Sequence, residues 1–571
     1  MKLTKLFKAN NALKQELIAK GYNERLSNLL VNRGYDKEII LALLETGYSE
    51  ELPLYNDLIN VEVGADIIES HIANGSTIYI FGDYDSDGVN SCYILGDAIN
   101  NIILNTESNA TISIKLPERC EGYGLNINWC KKIVAENQGE DILVITVDNG
   151  IAQDKEVAYL LENGIDVLIT DHHTPNGHTP QNVWIIDPHY NNDSENNKGL
   201  CGAAVSFKLA MTLLDRYELK DIESLYYKYL IHVAIATITD NMPMTVENIK
   251  YVYNGLQLLK DGYGSDALDY YKEFNKNTDL TPKDTAFGIG PQINACGRMN
   301  NTKLALNYLF ADNTEVEDLY NEIIITNDER KIKTKDCISI VEKQINPNAY
   351  TQVSLLENAE GIAGIIASNI SSRYNKPTII FSASQDKKYL IGSARSAMGI
   401  NLLAVLKSLD TDAIVKLGGH KEACGITIKA EMYKEFKEVF ESAIIESLDT
   451  IDTFEETEMK IIVDDVITIS DIEDLCESIN PLYFFNYSKP IFAMTNVKIV
   501  KAKPSKNNSN NIQFTLVDSE GKTFTTWVWG IGEQYQSLNN PIDVDLITEV
   551  EYKFGKPSLN ILNIIPKGEL F

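Results

Sequence analysis

The sequence predicts a multidomain α/β protein built around a parallel sheet. Its 571 residues are too many for a single hydrophobic core. From about residue 60, short β-rich apolar runs alternate with segments of helical length, and these runs read STIYIF, TISIK, DILVITV, IDVLIT and VWII. Strands separated by helices favour a parallel sheet covered on both faces, and ligands bind such sheets at the carboxyl ends of the strands.

Two further regions flank this α/β part. Residues 1–60 show helical spacing without strand-like runs, which predicts a helical N-terminal extension. After about residue 455, apolar and polar residues alternate again between turn-forming stretches, which predicts an OB-like β-barrel over 455–571. Several side chains of this region could hold a single strand by charge and stacking, although alternating tryptophans are also typical of a barrel core. They are Lys498, Lys501, Lys503, Lys506, Trp527 and Trp529.

The composition limits the classes of function. The formal net charge of −30 disfavours a general nucleic-acid binder, although it allows a local basic channel. The eight cysteines form no CxxC pair, which argues against a zinc ribbon and a disulfide framework, and we expect reduced thiols in or near the cores. The sequence contains neither a membrane-spanning apolar run nor a signal peptide, so we expect a cytoplasmic protein without a membrane partner.

Three acids follow the first apolar run, in the stretch GDYDSDG. Asp83, Asp85 and Asp87 stand at i, i+2 and i+4, a spacing that places three carboxylates on one side of an extended segment. Without a cation they would repel one another, so the spacing indicates a bound metal ion. An EF-hand loop opens with the same pattern, but it needs a preceding helix and a Glu at its twelfth position, where this chain has Ile94. The calcium-loop interpretation is therefore rejected.

Further candidate ligands follow other apolar runs. Asp148 follows DILVITV, the stretch Asp-His-His at 171–173 follows IDVLIT, and Asp240 ends the segment HVAIATIT. Each of them alone is equally well explained as a strand cap, a turn or a helix end. Together with the first acids they form a mixed carboxylate and imidazole set that suits two Mn²⁺ or Mg²⁺ ions. Its members are Asp85, Asp87, Asp148, His172 and Asp240.

The order of the motifs resembles the DHH phosphoesterase superfamily and, within it, the RecJ-type single-stranded-DNA exonucleases. The motifs are GDYDSDG, ITVDNGI, ITDHHTP, LCGAAVSFKLA, ATITDNMPM, IGPQINACGRM, IGSARS and GGHKEACGI. Each motif alone is weakly specific, whereas the ordered set over about residues 60–430 is strongly specific. The resemblance implies a DHH catalytic domain at 61–300, a long connecting helix at 301–345 and a DHH-associated substrate-binding domain at 346–454, with the substrate strand in the cleft between the two domains.

The resemblance also implies roles for individual residues, by motif position. Metal ligands would be Asp83, Asp85, Asp87, Asp148, His172 and Asp240, with Asp148 as a bridge between two ions. Catalytic residues would be Asp148, Asp171 and His173, of which His173 would face the scissile phosphate. Substrate-binding residues would be Arg119, Arg298, Ser393, Arg395, Gly418, Gly419 and His420. Among these, Arg119, Ser393 and Arg395 would hold a 5′-phosphate.

The implied activity is metal-dependent hydrolysis of single-stranded DNA from the 5′ end to 5′-mononucleotides, in recombination or repair. Its cofactors would be two Mn²⁺ or Mg²⁺ ions, its partners a single-strand-binding protein or a helicase, and its state monomeric. Two alternatives stay open: a DHH phosphodiesterase for oligoribonucleotides or cyclic dinucleotides, and a non-catalytic DHH replication scaffold. The C-terminal barrel disfavours the first alternative, and the intact ligand set disfavours the second.

The chain departs from the family pattern at two places. Asn358 and Ala359 stand where the family has Trp-His, so we expect some different contacts in the cleft. The segment PLYFFNYSKPIF at 481–492 lacks the Gly-rich form that is usual there, so the domain packing of that region is expected to differ.

Overall fold

The computed structural model describes the whole chain except residues 1, 6–9, 46–53, 119–120, 123, 137–138, 176, 277–279, 385, 453–459, 480–481, 483, 486–487, 506–510, 529–539, 554–555 and 569–571. The chain forms two compact units. Unit 1 contains residues 1–52, 244–250 and 456–571, and unit 2 contains residues 53–243 and 251–455. The sequence-based boundaries at residues 60, 300, 345 and 454 stay a prediction.

Helices and strands alternate through most of unit 2. Over residues 1–300 the elements are β1 (Lys2–Lys5), α1 (Asn11–Ala19), α2 (Glu24–Arg33), α3 (Lys37–Leu44), α4 (Val61–Asn74), β2 (Thr77–Phe81), α5 (Ser86–Thr106), β3 (Thr111–Lys115), α6 (Ile127–Glu136), β4 (Ile142–Val147), α7 (Asp154–Glu162), β5 (Asp166–Thr170), β6 (Trp184–Ile186), α8 (Glu195–Lys198), α9 (Gly202–Leu214), α10 (Ile222–Thr239), α11 (Val246–Lys260), α12 (Asp266–Phe274), α13 (Pro282–Phe287) and α14 (Ile289–Arg298). Beyond residue 300 they are α15 (Thr302–Leu309), α16 (Val316–Glu342), β7 (Gln352–Leu355), α17 (Ala363–Tyr374), β8 (Thr378–Ala383), β9 (Tyr389–Arg395), α18 (Leu402–Ser408), β10 (Ile414–Gly419), β11 (Ala423–Lys429), α19 (Tyr433–Asp452), β12 (Lys460–Val463), β13 (Asp465–Val466), α20 (Ile472–Ser478), β14 (Phe492–Pro504), β15 (Ile512–Val517), β16 (Thr523–Val528), β17 (Ile542–Lys553) and β18 (Lys556–Pro566).

The first sheet of unit 2 is parallel, as the sequence predicts. Its five strands have the order β3-β2-β4-β5-β6, and every residue of β4 is buried. Ile142 and Val144 of β4 pack against α6 and α7, while α5 and α9 contact β4 as well. The strands β3 and β4 lie on opposite sides of β2, so the winding direction changes there. At such a switch point the carboxyl ends of the strands open a crevice for a ligand.

The second sheet of unit 2 is mixed, with the order β10-β11-β9-β8-β7. Only β7 and β8 are parallel to each other among its described pairs. Helix α17 packs on β8 and β9, and the buried rings of Phe381, Phe436 and Phe440 fill the core on α19. The 27-residue helix α16 contacts α14 and α15 on one side and α17 on the other. Its role as the predicted connecting helix stays a prediction.

Unit 1 combines the N-terminal helices with the C-terminal sheet. Its largest sheet has the order β16-β15-β14-β17-β18, and β13 pairs with β14. Thr526 of β16 donates a hydrogen bond to the Leu559 carbonyl of β18 (2.8 Å), so the two ends of the sheet meet. Arg33 of α2 donates two hydrogen bonds to Asp464, at 2.7 and 2.9 Å, and β1 pairs with β12. A C-terminal β sheet is confirmed, and its OB-like barrel form stays a prediction.

Two smaller expectations concern cysteines and membranes. The seven described cysteines are free and buried, which agrees with reduced thiols in cores, and Cys120 lies outside the described residues. Among the helices that the structure describes, none is both long and apolar enough to cross a membrane.

Candidate metal centre

The acidic loop after β2 forms the first part of the centre. The backbone does not stay extended there: Asp85 caps α5, and its Oδ1 accepts hydrogen bonds from the backbone N–H groups of Asp87 (3.0 Å) and Gly88 (3.1 Å). The predicted extended segment is therefore wrong, because an Asp at the N-cap turns the chain into a helix. The loop nevertheless brings Asp83 and Asp85 within 4.8 Å of Asp148, measured between ligand atoms.

Asp148 reaches this position through an unusual backbone conformation. It follows the buried strand β4 and has a φ of +59°, which few non-glycine residues adopt and which is often found at functional sites. The next residue, Asn149, holds the turn: its side chain donates to the carbonyls of Phe81 (3.0 Å) and Val147 (2.8 Å). The ends of β2 and β4 are thereby tied together on either side of the switch point.

The Asp-His-His stretch after β5 supplies both imidazoles. Asp171 is buried and accepts hydrogen bonds from the backbone N–H of Ile151 (3.0 Å) and from His172 N (2.7 Å). Its Oδ1 also lies 2.8 Å from Nδ1 of His173. His172 is buried, whereas the His173 side chain is 46% exposed. Asp171 therefore orients His173, and His172 points into the acids.

Two more acids complete the cluster around His172. Asp87 accepts hydrogen bonds from the backbone N–H groups of Gly202 (2.7 Å) and Ala203 (2.8 Å) at the start of α9, where the helix dipole favours an anion. Asp240 ends α10, as the sequence predicts, and a third of its side chain is exposed. The Nε2 atom of His172 lies 3.6 Å from Asp87 Oδ2 and 3.8 Å from Asp240 Oδ2.

These side chains form overlapping groups in which all ligand atoms lie within 4.8 Å of one another. The groups are Asp83, Asp85 and Asp148; Asp87, His172 and Asp240; and Asp148, His172 and His173. Asp148 belongs to two of them, so a carboxylate that could bridge two ions stands in the middle. The structure thus brings together all the predicted ligands.

Burial and mutual repulsion raise the pKa values of the acids. Burial, followed by the charge of Asp85, raises the pKa of Asp87 to about 7. Burial and then Asp87 raise the pKa of Asp240 to about 8, and the same two causes raise the pKa of Asp148 well above its usual value. Near neutral pH these acids hold protons unless a cation replaces them. Such a set of hard oxygen donors with one imidazole fits Mn²⁺ or Mg²⁺.

The two imidazoles shift in opposite directions. Burial and then the neighbouring His173 lower the pKa of His172 to about 3, so its ring is neutral and its nitrogen can bind a metal. For His173, burial acts to lower the pKa, but the hydrogen bond with Asp171 outweighs it and the pKa rises to about 9. His173 is therefore a cation at neutral pH and can donate a hydrogen bond to a phosphate oxygen.

A cleft lined by arginines begins beside the acidic loop. Gly297 of α14 touches the Tyr84 carbonyl, since a Cβ there would lie only 2.3 Å from that oxygen. Arg298, the next residue, lines an open cleft of about 790 Å³, and Arg395 of β9 lines the same cleft. Ser393 Oγ and Arg395 Nη2 both lie near Gly364 in the first turn of α17. Three of the predicted substrate residues therefore gather at this cleft.

The remaining predicted substrate residues have different positions. Arg119 lies outside the described residues. Gly418 and Gly419 end β10, and His420 follows in the exposed turn to β11, where its N–H donates to the Ala423 carbonyl (2.8 Å). Sequence reasoning missed further lining residues of the cleft, which are Ser368, Asn369, Ser372 and Arg373 of α17. Polar residues on a helix face usually meet solvent, so their spacing gave no signal of a site.

Comparisons with known proteins agree with this geometry. The DHH family N-terminal domain matches residues 77–237, and the DHHA1 domain matches residues 348–446. The chain is 30% identical over 469 residues to the single-stranded-DNA-specific exonuclease RecJ of Bacillus subtilis. The chain belongs to the RecJ type of the DHH phosphoesterases. The alignment covers 81% of this chain and 57% of the Bacillus subtilis RecJ, so the chain spans little more than half of that relative's length.

Two solved RecJ structures are similar to the chain. The RecJ of Thermus thermophilus in complex with Mn²⁺ has the same fold, with a TM-score of 0.78 and 22% identity, covering 100% of this chain and 80% of that one. A second structure, an exonuclease RecJ bound to manganese, has a TM-score of 0.58 and 28% identity, covering 68% of this chain and 96% of that one. The α/β fold is therefore that of RecJ proteins.

Proposed function

We propose that this chain is a metal-dependent exonuclease that hydrolyses single-stranded DNA from its 5′ end and releases 5′-mononucleotides. The observation that carries the proposal is the cluster around Asp148, where six predicted ligands converge at the switch point of the parallel sheet. An arginine-lined cleft begins at the same loop. A phosphodiester substrate needs both features, a centre for cations and a basic path for its phosphates.

Asp148 would be shared by two divalent ions. One ion would bind Asp83, Asp85 and Asp148, and the other would bind Asp87, Asp148, His172 and Asp240. When bound, two such ions polarise the phosphodiester and make a water nucleophilic near neutral pH. The manganese bound to a similar RecJ supports this assignment.

Other residues of the chain would position the strand. His173, fixed by Asp171, would donate a hydrogen bond to an oxygen of the scissile phosphate. Arg298 would contact the backbone, and Ser393 and Arg395 would hold a 5′-phosphate one nucleotide away, together with Arg119. Gly418, Gly419 and His420 would bound the strand from the β10–β11 turn. An anchor for the 5′ end sets the direction, which the metals alone cannot set.

The proposal extends to the C-terminal sheet as an OB-like platform for a longer strand. Lys503, Gln513 and Trp527 are direct cross-strand neighbours on β14, β15 and β16. None of the three is buried, and Trp527 is 37% exposed. A lysine and a tryptophan in one row combine phosphate attraction with base stacking. Lys506 and Trp529, which the sequence also suggests, lie outside the described residues.

The cellular setting belongs to the same proposal. We infer a cytoplasmic, monomeric enzyme of recombination or repair that meets a single-strand-binding protein or a helicase. These points rest on the family and on the sequence.

One experiment separates the proposal from its alternatives. A long 5′-labelled single strand, a dinucleotide and a cyclic dinucleotide are incubated with the protein in Mn²⁺, in Mg²⁺ and in EDTA. We expect release of a labelled mononucleotide from the long strand, only with metal. Preferred hydrolysis of the short substrates would favour the small-substrate phosphodiesterase, and no hydrolysis would favour a scaffold.

A further inference from the structure

Arg395 separates two cavities. On one side is the cleft of about 790 Å³ that also contains Arg298. On the other side is a second cavity of about 430 Å³, and Arg395, Ser368 and Ser372 line both. The further lining residues of the second cavity are Ser371, Ser396, Ala397, Gly399, Ile400, Asn401, Lys421 and Glu422.

The second cavity continues the path that begins at the metal centre. Gly297 touches the acidic loop at Tyr84, Arg298 follows it into the cleft, and Arg395 stands where the cleft meets the second cavity. All lining residues of the second cavity come from residues 368–422, none from the parallel-sheet domain. A terminal 5′-phosphate at Arg395 would therefore still have open space beyond it.

The chemistry of the second cavity suits further phosphates. Arg395 is half-buried, and among the described residues no carboxylate forms an ion pair with it; its Nη1 donates only to the Ala394 carbonyl, at 2.9 Å. Lys421 supplies a second cation and is 3.4 Å from Glu422, an exposed pair that is readily exchanged for a stronger anion. The hydroxyls of Ser368 and Ser372 supply hydrogen-bond donors on the shared wall.

The size of the second cavity agrees with this chemistry. Its volume equals that of roughly fourteen water molecules at about 30 Å³ each, which leaves room for additional phosphoryl groups and their water. A wall directly behind Arg395 would instead have restricted the enzyme to a single terminal phosphate.

We propose that the second cavity receives the β- and γ-phosphates of a 5′-triphosphate terminus, so that the enzyme starts on triphosphorylated as well as monophosphorylated single strands. This inference rests on the proposed exonuclease function. The first turnover adds a water oxygen to the first internucleotide phosphorus and breaks its bond to O3′, which takes up a proton. The first product is then a nucleoside 5′-triphosphate, and the remaining strand carries a 5′-monophosphate.

The test uses one DNA sequence with three termini: 5′-hydroxyl, 5′-monophosphate and 5′-triphosphate. With Mn²⁺ we expect wild type to degrade both phosphorylated strands and to release one nucleoside triphosphate per triphosphorylated strand, measured by anion-exchange chromatography. Lys421→Ala should raise KM for the triphosphorylated strand about tenfold, the value of one charge-assisted contact, and leave the monophosphorylated strand unchanged. Lys421→Arg should restore the wild-type KM.

Controls separate this inference from the proposed function. Lys437→Ala removes an exposed lysine of α19 that lines neither cavity and should change neither KM. If wild type degrades the monophosphorylated strand but rejects the triphosphorylated one, or if Lys421→Ala affects both strands alike, the second-cavity assignment is overturned and the exonuclease stands. If no strand is degraded with metal, the exonuclease proposal itself fails. Binding of the triphosphorylated strand in EDTA, measured by fluorescence anisotropy, should weaken in Lys421→Ala without any hydrolysis.

Discussion

His172 and Asp148 meet across two neighbouring strands, with Nε2 of His172 3.1 Å from Oδ1 of Asp148. Asp148 follows β4 and His172 follows β5, and these strands are adjacent and parallel. Their carboxyl ends therefore bring an imidazole and a carboxylate together without any contact between distant domains. The same Asp148 belongs to the group formed with Asp83 and Asp85, so the parallel sheet itself builds the shared ligand.

Asp148→Asn should abolish hydrolysis. The amide keeps the shape but loses the charge that two ions would share, and we expect a loss of about a thousandfold in kcat, near 4 kcal/mol of barrier. Rate measurements in Mn²⁺ and the number of bound Mn²⁺ ions by equilibrium dialysis check this. Asp166→Asn, at the opposite end of β5, is the matched control and should keep wild-type activity. Near wild-type turnover of Asp148→Asn would disprove a shared ligand.

Without metal, the protein should become less stable as the pH rises from about 6.5 to about 8. The folded-state pKa of Asp240 is about 8, above the roughly 3.9 of an unfolded Asp, so the folded state holds a proton that the unfolded state has released. That stabilisation is lost as the pH rises through the folded pKa. His173, with a pKa of about 9, acts in the same direction because its charge is lost on the way up. Thermal unfolding in EDTA measures the trend, and Asp240→Asn should reduce it.

Added Mn²⁺ should reverse this trend. Ionised acids bind the ion and protonated acids do not, so Mn²⁺ should raise Tm more at pH 8 than at pH 6.5. Differential scanning fluorimetry at both pH values, with EDTA as reference, measures the two shifts. Equal shifts would contradict the assignment of these acids as ligands.

The ligands could be predicted from the sequence because each follows an apolar run, and in a parallel sheet the ends of such runs meet. The conformation of Asp85 could not, because an acid shortly after a strand can extend it or cap a helix, and only the hydrogen bonds to Asp87 and Gly88 decide. Lys421 and Ser372 also gave no signal. They come from a turn and a helix that only the tertiary fold brings to one cavity.

The grouping of the N-terminal helices was likewise beyond the sequence pattern. Helical spacing predicts helices over residues 1–60 but not the surface that they cover. The ion pair between Arg33 and Asp464 joins residues 431 positions apart, and periodicity carries no information on such contacts.

Removing the 5′-phosphate from the substrate should mask the defect of Arg395→Ala. On a 5′-phosphorylated strand the variant loses a charge-assisted contact worth about 1.5–3 kcal/mol, roughly ten- to a hundredfold in rate if the contact is made in the transition state. On a 5′-hydroxyl strand there is no such contact to lose. Steady-state rates of both enzymes on both strands give the coupling. An equal defect on both strands would mean that Arg395 stabilises the domain instead.

Trp527→Ala combined with Lys503→Gln should weaken binding to a long strand and leave the hydrolysis of a very short one unchanged. Stacking of one base is worth about 1–3 kcal/mol, so we expect Kd for a long strand to rise about fivefold or more. Fluorescence anisotropy at two salt concentrations measures Kd, and the salt dependence should become shallower. Trp184→Ala removes another exposed tryptophan, on β6, and serves as the control. Equal losses on both lengths would indicate a role in folding.

Gly361→Ala should misplace Arg298. The Nη1 of Arg298 donates a hydrogen bond to the Gly361 carbonyl (3.0 Å), and a Cβ on Gly361 would lie 2.2 Å from the Arg298 carbonyl oxygen. The turn before α17 must therefore move away from α14, and the guanidinium loses its support. We expect KM for a single strand to rise about tenfold, near 1.4 kcal/mol, with kcat nearly unchanged because the metal ligands stay in place.

Backbone strain must be separated from this displacement, since Gly361 has a φ of +81° and an alanine there costs about 1–2 kcal/mol by itself. Gly164→Ala carries the same strain at a φ of +74° but has open space around its Cβ. It should lower Tm without changing KM. Hydrolysis of bis(p-nitrophenyl) phosphate, which is too small to reach the cleft, should be alike in both variants and wild type. A Gly361→Ala enzyme with the wild-type KM would show that Arg298 does not depend on this turn for its position.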